Sequence, residues 1–275
     1  MSLYIASLNS GSNGNCYYIG NDEESVLIDA GISCRETEKR MSRLGLSIEK
    51  VKAIFISHEH SDHINGLEVL SKKYQIPVYI TAKTLSNTRL LLHEKHICQF
   101  TAYVPVNIGS LSITAFSKRH DADDPHSFVV SGNDVNIGVL TDIGSVCKNV
   151  KENFSQCHAA FLETNYDDQM LTEGNYPYHL KKRISGNFGH LSNAQALELF
   201  VKHRPPYMSH VLLAHLSKDN NCPDKVLRLF AEHAGKTHVS VASRYNESEV
   251  FHITSPHKIK LKNILIPSRQ MSLFD

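Results

Sequence analysis

Three histidines and an aspartate lie within six residues of the chain, at His58, His60, Asp62 and His63. Neutral imidazoles and a carboxylate are ligands that suit zinc, and also manganese or iron. The alternative is a helix N-terminus that happens to be rich in histidine, which we disfavour because these ligand types rarely coincide at this spacing. The segment therefore predicts a metal site.

The residues on either side of this segment indicate how it is held. Residues 51–57 are apolar and β-branched, which is typical of a buried strand, and residues 64–73 have apolar positions at helical spacing. The four side chains would then lie on a strand-to-helix loop. Alternation at the strand end directs His58 and His60 to one side, and the turn returns Asp62 and His63 towards them.

Composition limits the class of protein. The 275 residues are 41% hydrophobic and 21% charged, with a net charge of +1, so a polyanion must be met by a local patch and not by the overall field. Six scattered cysteines without a C-x-x-C pair indicate reduced thiols. The N-terminal residues lack the pattern of a signal peptide and no apolar run is long enough to span a bilayer, so we expect neither element. We expect a soluble cytoplasmic protein without a membrane partner.

The rest of the chain alternates groups of strands with groups of helices. A Ser33–Glu36 capping box and Gly45 predict a helix over about residues 35–44, and residues 84–92 also look helical. Strands are predicted at residues 3–8, 16–19, 25–29, 77–81, 111–116, 128–131 and 135–140. We expect one domain over residues 1–255, followed by a tail over residues 256–275.

The histidine-rich segment fits H-x-H-x-D-H and so resembles the metallo-β-lactamase superfamily. The resemblance implies an α/β fold, a four-layer αββα sandwich, with two divalent metal ions per chain, zinc or manganese. It assigns His58 and His60 to the first ion, and Asp62 and His63 to the second. It also implies that further ligands follow later strands.

Three later segments place a ligand after an apolar strand: His120 for the first ion, Asp142 bridging both, and His215 for the second. Alternatives stay open. Asp121 competes with His120, and His210 competes with His215. His126 replaces His120 only if the intervening loop folds inward.

Paired ions also suggest a mechanism. Two close ions lower the pKa of a bridging water and stabilise charge on a phosphoryl group. The hydroxide held by the ions is then the nucleophile, and no protein nucleophile is needed. The leaving oxygen still needs a proton donor, and Glu163 at a strand end and His190 are the candidates. His190 is equally explained as a residue preceding a helix at 194–201, capped by Ser192 or Asn193. With Asp62 as a ligand at the reaction centre, these form the predicted catalytic set.

Further segments narrow the resemblance to the YycJ/WalJ family of metallo-β-lactamase-fold proteins. The match covers about residues 3–242 and includes residues 10–16, 120–122, 141–144, 163–167, 183–186, 189–193 and 214–217. The resemblance implies a metal-dependent nuclease with 5′-exonuclease activity on DNA. A more distant similarity to tRNA 3′-processing endonucleases favours a proton-transfer role for Glu163 and His190.

A nucleic-acid substrate requires contacts to phosphate. Lys181 and Arg183 are the cations we choose, together with Lys118 and Arg119, because they lie close in sequence to the proposed site. The loop containing Ser12 and Asn13 presents backbone N–H groups to a phosphate, or is only a tight hairpin.

The C-terminal tail carries a separate signal. Gln270, Met271, Leu273 and Phe274 belong to a Q-M-S-L-F segment that resembles the peptides by which bacterial proteins bind the DNA polymerase sliding clamp. In that interpretation Leu273 and Phe274 fill an apolar pocket and Gln270 supplies a polar anchor. The alternative is that the two apolar side chains pack on the domain.

The leading hypothesis is a dinuclear phosphodiesterase, a DNA exonuclease. The second is a metal-dependent hydrolase of a small molecule such as a cyclic phosphate, thioester or lactam. The third is a non-catalytic clamp- or DNA-binding module with a structural metal.

Overall fold

The computed structural model describes residues 2–255, which form two seven-stranded sheets packed face to face. The strands are β1 (Leu3–Asn9), β2 (Cys16–Gly20), β3 (Ser25–Ile28), β4 (Val51–Phe55), β5 (Val78–Tyr79), β6 (Ile97–Cys98), β7 (Val106–Ile108), β8 (Leu111–Ser117), β9 (His126–Gly132), β10 (Val135–Leu140), β11 (Ala159–Glu163), β12 (His210–Ala214), β13 (His238–Val241) and β14 (Phe251–Ile253). The α-helices are α1 (Cys34–Arg43), α2 (Ser61–Ile64), α3 (Leu67–Tyr74), α4 (Ala82–Ser86), α5 (Lys148–Phe154), α6 (Asp168–Glu173), α7 (Tyr178–Ile184), α8 (Asn193–His203) and α9 (Pro223–Ala231), and single 3₁₀ turns occur at Ile48–Lys50 and Glu94–His96.

Each sheet is antiparallel on one side and parallel on the other. The first sheet has the order β14-β1-β2-β3-β4-β5-β6, and its strands are parallel from β3 onwards. The second has the order β13-β12-β11-β10-β9-β8-β7, and β10 to β13 are parallel. Consequently β1, β3, β4, β8, β10, β11 and β12 all end at the same edge of the sandwich.

Three apolar layers hold the sheets and helices together. The middle layer lies between the sheets and includes Tyr17, Phe55, Phe128 and Phe161, all buried. The outer face of the second sheet is covered by α5, α8 and α9, and that of the first by α1 and α3. Full burial of one such side chain contributes about 1.5–3 kcal/mol. The predicted four-layer αββα sandwich is confirmed.

Two of the predicted helices are wrong in their extent. The one predicted at residues 64–73 is interrupted at Gly66, which separates α2 from α3. The one predicted at residues 84–92 ends at Ser86, because Leu90 and Leu92 pack on the core while Leu91 is 82% exposed. Alternation of this kind belongs to extended chain and not to a helix.

Candidate metal centre

Side chains from both sheets converge at the edge where the parallel strands end. They include all seven predicted ligands together with the two predicted proton-transfer residues: His58, His60, Asp62, His63, His120, Asp142, Glu163, His190 and His215. Within each of the four groups into which these residues fall, the potential ligand atoms lie within 4.8 Å of one another. The structure thus brings together residues that are up to 157 positions apart in the sequence.

One group consists of three imidazoles. His60 Nδ1 lies 3.0 Å from His58 Nε2 and 3.4 Å from His120 Nε2. His58 and His120 are buried, whereas His60 is partly exposed. Three nitrogen ligands that converge in this way fit one half of a dinuclear site.

A second group combines Asp62, His63 and His215. Asp62 Oδ2 lies 3.5 Å from His63 Nε2 and 3.4 Å from His215 Nε2. Asn15 Nδ2 donates to the same oxygen at 3.1 Å, which fixes the carboxylate in its orientation.

Asp142 lies between the two groups. Its Oδ2 is 3.3 Å from His63 Nε2, and its Oδ1 is 3.3 Å from His215 Nδ1 and 3.8 Å from His120 Nε2. Asp142 therefore approaches one histidine of the first group and both histidines of the second.

Backbone conformation explains how strand-end residues turn into the centre. Asp29, Asp142 and His215 have φ values of 63°, 54° and 55°, in the left-handed region that non-glycine residues seldom adopt. Each follows a strand by one or two residues. A left-handed residue costs about 1–2 kcal/mol, and such strain is concentrated at functional sites.

Outer contacts orient the imidazoles. Asp29 Oδ2 lies 2.7 Å from His63 Nδ1, and Asp29 also accepts hydrogen bonds from the N–H and hydroxyl of Ser57. The Ser57 hydroxyl lies 2.9 Å from His58 Nδ1. His120 Nδ1 lies 3.0 Å from the Gly189 carbonyl oxygen. In all three histidines these contacts leave Nε2 directed at the centre, as in protein metal sites.

The electrostatics of the two groups differ. Burial lowers the pKa of His58, and it lowers the pKa of His120 to about 3. Burial acts in the same direction on His63 and His215, but nearby carboxylates, Asp142 first among them, outweigh it. The pKa of His63 is raised, and that of His215 is raised to about 10. In the absence of an ion the carboxylates thus favour the charged forms of both imidazoles of the second group.

The donor set fits divalent metal ions. Asp142 Oδ2 is buried and faces His63 Nε2 at 3.3 Å, but it accepts no well-oriented hydrogen bond among the described residues. An ion next to this oxygen would supply the partner that a buried carboxylate oxygen requires. Imidazole and carboxylate ligands in two adjoining groups suit zinc or manganese.

Glu163 and His190 adjoin the centre as a hydrogen-bonded pair. Glu163 Oε1 lies 2.8 Å from His190 Nδ1, and Oε2 accepts from the backbone N–H groups of Ile143 and Leu191. Although burial would raise it, His190 and the other partners lower the pKa of Glu163 to about 2. Of the two predicted caps, Ser192 and not Asn193 caps α8, in a capping box with Gln195.

The alternative ligands occupy other positions. His126 Nδ1 faces the Asp124 carbonyl oxygen, and its ring packs against Phe100. His210 begins β12, at the opposite edge from His215. Asp121 borders the centre, with Oδ1 3.3 Å from His120 Nε2, but it also forms an ion pair with Arg183.

The residues predicted to contact phosphate lie in different surroundings. Arg183 is held at the rim by Asp121, whereas Lys181 donates to the Thr172 carbonyl on α6. Ser12 is exposed. Asn13 is also exposed and donates to the Arg244 carbonyl at 2.8 Å.

The expectation that Lys118 contacts phosphate is wrong. Its side chain is buried and donates to the Thr141 carbonyl at 2.7 Å, next to Asp142. Burial lowers the pKa of Lys118. Sequence reasoning missed the hydrogen bond of Lys118 to Thr141 and that of Asn15 to Asp62, because both join distant segments of the chain. The only local signal for Asn15 was its place in a turn-forming run.

The predicted clamp-binding residues Gln270, Met271, Leu273 and Phe274 lie outside the described residues. Within residues 2–255, every helix is too short or too polar to cross a bilayer.

Comparisons with known proteins agree with this architecture. Residues 24–215 match the model of the β-lactamase superfamily domain. The chain is 36% identical to the exodeoxyribonuclease YycJ of Bacillus anthracis, over 80% of this chain and 85% of that protein. It is 33% identical to the exodeoxyribonuclease WalJ of Streptococcus pneumoniae, over 78% and 81%. The crystal structure of YhfI from Bacillus subtilis, a metallo-β-lactamase fold protein, superposes with a TM-score of 0.71 at 16% identity, over 92% of this chain and 100% of that chain.

Proposed function

The chain belongs to the metallo-β-lactamase superfamily, within the YycJ/WalJ family, and from this premise we propose that it is a metal-dependent exodeoxyribonuclease with two divalent ions. The observation that carries the dinuclear part is the position of Asp142, within 4 Å of histidines in both ligand groups. By resemblance to the family we propose that degradation proceeds 5′ to 3′.

His58, His60 and His120 would hold one ion, and Asp62, His63 and His215 the other, with Asp142 between them. When bound, the ions supply Lewis acidity that activates water and offsets charge on the phosphodiester. Zinc and manganese both fit the ligands.

The Glu163–His190 pair supplies the proton for the leaving oxygen. Glu163 is fixed by two backbone N–H groups, so it orients the His190 ring through Nδ1. His190 is 20% exposed, whereas Glu163 has no exposed surface. The second ring nitrogen of His190 is then available to a substrate.

Hydrolysis by an Asp142→Asn variant tests the proposal. We expect end-labelled DNA and bis-p-nitrophenyl phosphate to be hydrolysed by the wild-type protein with zinc or manganese, and the variant to lose at least about a hundredfold in rate. Asp22→Asn is the matched control. Asp22 lies in the β2–β3 hairpin, at the edge of the sandwich opposite the metal centre, where it accepts a hydrogen bond from the Tyr4 hydroxyl. Full activity of Asp142→Asn would contradict the mechanism.

The same assay separates the alternatives. A small-molecule hydrolase would act on a cyclic phosphate, thioester or lactam and leave duplex and single-stranded DNA intact. A binding module with a structural metal would hydrolyse none of them.

A further inference from the structure

A cavity of about 340 Å³ lies beside the metal centre, at the ends of β12 and β13. Its lining includes Ser217, Lys218, Arg244 and Tyr245, with two cations and, among the described residues, no carboxylate. The residues proposed above for binding and catalysis do not line it.

The cavity and the centre are physically connected through one residue. Ser10 accepts a hydrogen bond from the N–H of His215 at 2.7 Å and donates its own N–H to the Ser243 carbonyl at 3.1 Å. β12 and β13 are parallel neighbours, with Leu213 paired to Val241. Adjacent strands are about 5 Å apart, so the turn containing Arg244 lies one strand from the ligand His215.

The backbone of this turn is held at three successive carbonyls. Ser243 O accepts from Ser10 N, Arg244 O from Asn13 Nδ2, and Tyr245 O from Arg40 Nη2 at 3.0 Å. The Ser243 hydroxyl also accepts from the N–H groups of Tyr245 and Asn246. The position of the turn relative to the centre is therefore fixed.

The guanidinium of Arg244, in contrast, forms no ion pair and no hydrogen bond among residues 2–255, and its Nη1 is buried without an acceptor. A buried guanidinium nitrogen without a partner is costly. The guanidinium carbon lies 6.0 Å from the centroid of the Tyr245 ring, and Tyr245 is 64% exposed.

We infer that Arg244 binds a phosphate group of the nucleic-acid strand next to the phosphodiester that is cleaved. Guanidinium donors match phosphate oxygens bidentately, and the exposed Tyr245 ring offers a surface on which a base can stack. A nucleic-acid strand places one phosphate about every 3.4 Å along its axis. A side chain that lies one β-strand away from the centre therefore contacts a flanking phosphate. This inference rests on the proposed nuclease function.

Kinetics of an Arg244→Gln variant test this inference. The substrates are end-labelled oligonucleotides with a 5′-phosphate or a 5′-hydroxyl, and bis-p-nitrophenyl phosphate, which has no flanking phosphate. On DNA we expect kcat/KM to fall about tenfold to a hundredfold, mainly through KM, and the salt dependence to weaken by about one unit of slope. The loss on the small diester should be at least about tenfold smaller. Arg244→Lys, which keeps the charge, should lose less than Arg244→Gln.

Arg228→Gln is the matched control, because Arg228 is exposed on α9 and should not alter any rate. A loss confined to the 5′-phosphorylated strand identifies the bound group as the terminal phosphate, and an equal loss on both strands identifies an internal one. Wild-type kinetics on DNA, or equal losses on DNA and the small diester, would overturn the inference while the nuclease function stands. A metal-loaded wild-type protein inert on both substrates would overturn the proposed function as well.

Discussion

Glu163 illustrates how one side chain combines structure and chemistry. Oε2 accepts two backbone N–H groups, while Oε1 faces His190 and, at 3.1 Å, His215 Nδ1. The carboxylate thus links a predicted ligand to the predicted proton donor. Its substitution should therefore affect proton transfer more than the fold.

For Glu163→Gln we expect kcat on DNA to fall about 10²- to 10⁴-fold, because a neutral amide weakens the hydrogen bond that orients His190 for proton transfer. The loss on bis-p-nitrophenyl phosphate should be much smaller, since p-nitrophenolate leaves without a proton. Steady-state kinetics on both substrates, with metal analysis, make the test. The exposed Glu173→Gln is the control. Equal losses on the two substrates would contradict a role in protonating the leaving group.

At the scale of elements, α2 is held by backbone contacts with the residue before β2 and with the segment after β3. Asn15 N and Ala30 N donate to the carbonyls of Asp62 and His63. A Cβ on Gly66 would lie 1.8 Å from the Ile32 carbonyl oxygen, and one on Gly31 would lie 1.7 Å from that of Asp62. Only glycine allows this approach.

Gly66→Ala should lower the free energy of unfolding by about 1–3 kcal/mol and weaken metal binding, because the backbone that carries His63 must move. Gly45→Ala is the control: its φ of +69° also disfavours alanine, by about 1–2 kcal/mol, but a Cβ there meets no atom within 4 Å. Denaturant titration and metal competition make the comparison. If both variants bind metal like the wild-type protein, the close approach does not position the ligands.

The same elements show what could be predicted from sequence. The histidine-rich segment and the strand-end residues His120, Asp142 and His215 could be found because ligand type and position after an apolar strand are local signals. The positions of Lys118 and Arg244 could not be found in this way. Lys118 is buried against the Thr141 carbonyl, and the turn that carries Arg244 is held by hydrogen bonds to segments more than 200 residues away. The helix predicted beyond Ser86 was wrong because packing of Leu90 and Leu92 on the core overrides local periodicity.

At the scale of the whole molecule, the centre joins the two sheets. His58, His60, Asp62 and His63 follow a strand of the first sheet, whereas His120, Asp142 and His215 follow strands of the second. Ions held there would therefore couple the two halves of the sandwich, and their uptake would also change the protonation of the chain.

Ion uptake at the Asp62–His63–His215 group should release protons from these imidazoles near pH 7, in addition to any proton lost by metal-bound water, because the pKa of His215, about 10, and that of His63 are raised above their ordinary value. These histidines are charged below their folded-state pKa, so affinity at this group should fall as pH falls. His58 and His120, with lowered pKa values, are neutral and release none. Calorimetry in buffers of different ionisation enthalpy measures the release. Proton-free uptake of both ions would contradict this electrostatic account.

The central claim is that seven side chains from two sheets hold two ions, and anomalous diffraction from crystals of the zinc- or manganese-loaded protein tests it most directly. We predict two peaks, one among His58, His60 and His120 and one among Asp62, His63 and His215, with Asp142 in contact with both. A fully loaded protein with a single peak at this edge, or with its ions bound elsewhere, would contradict the account.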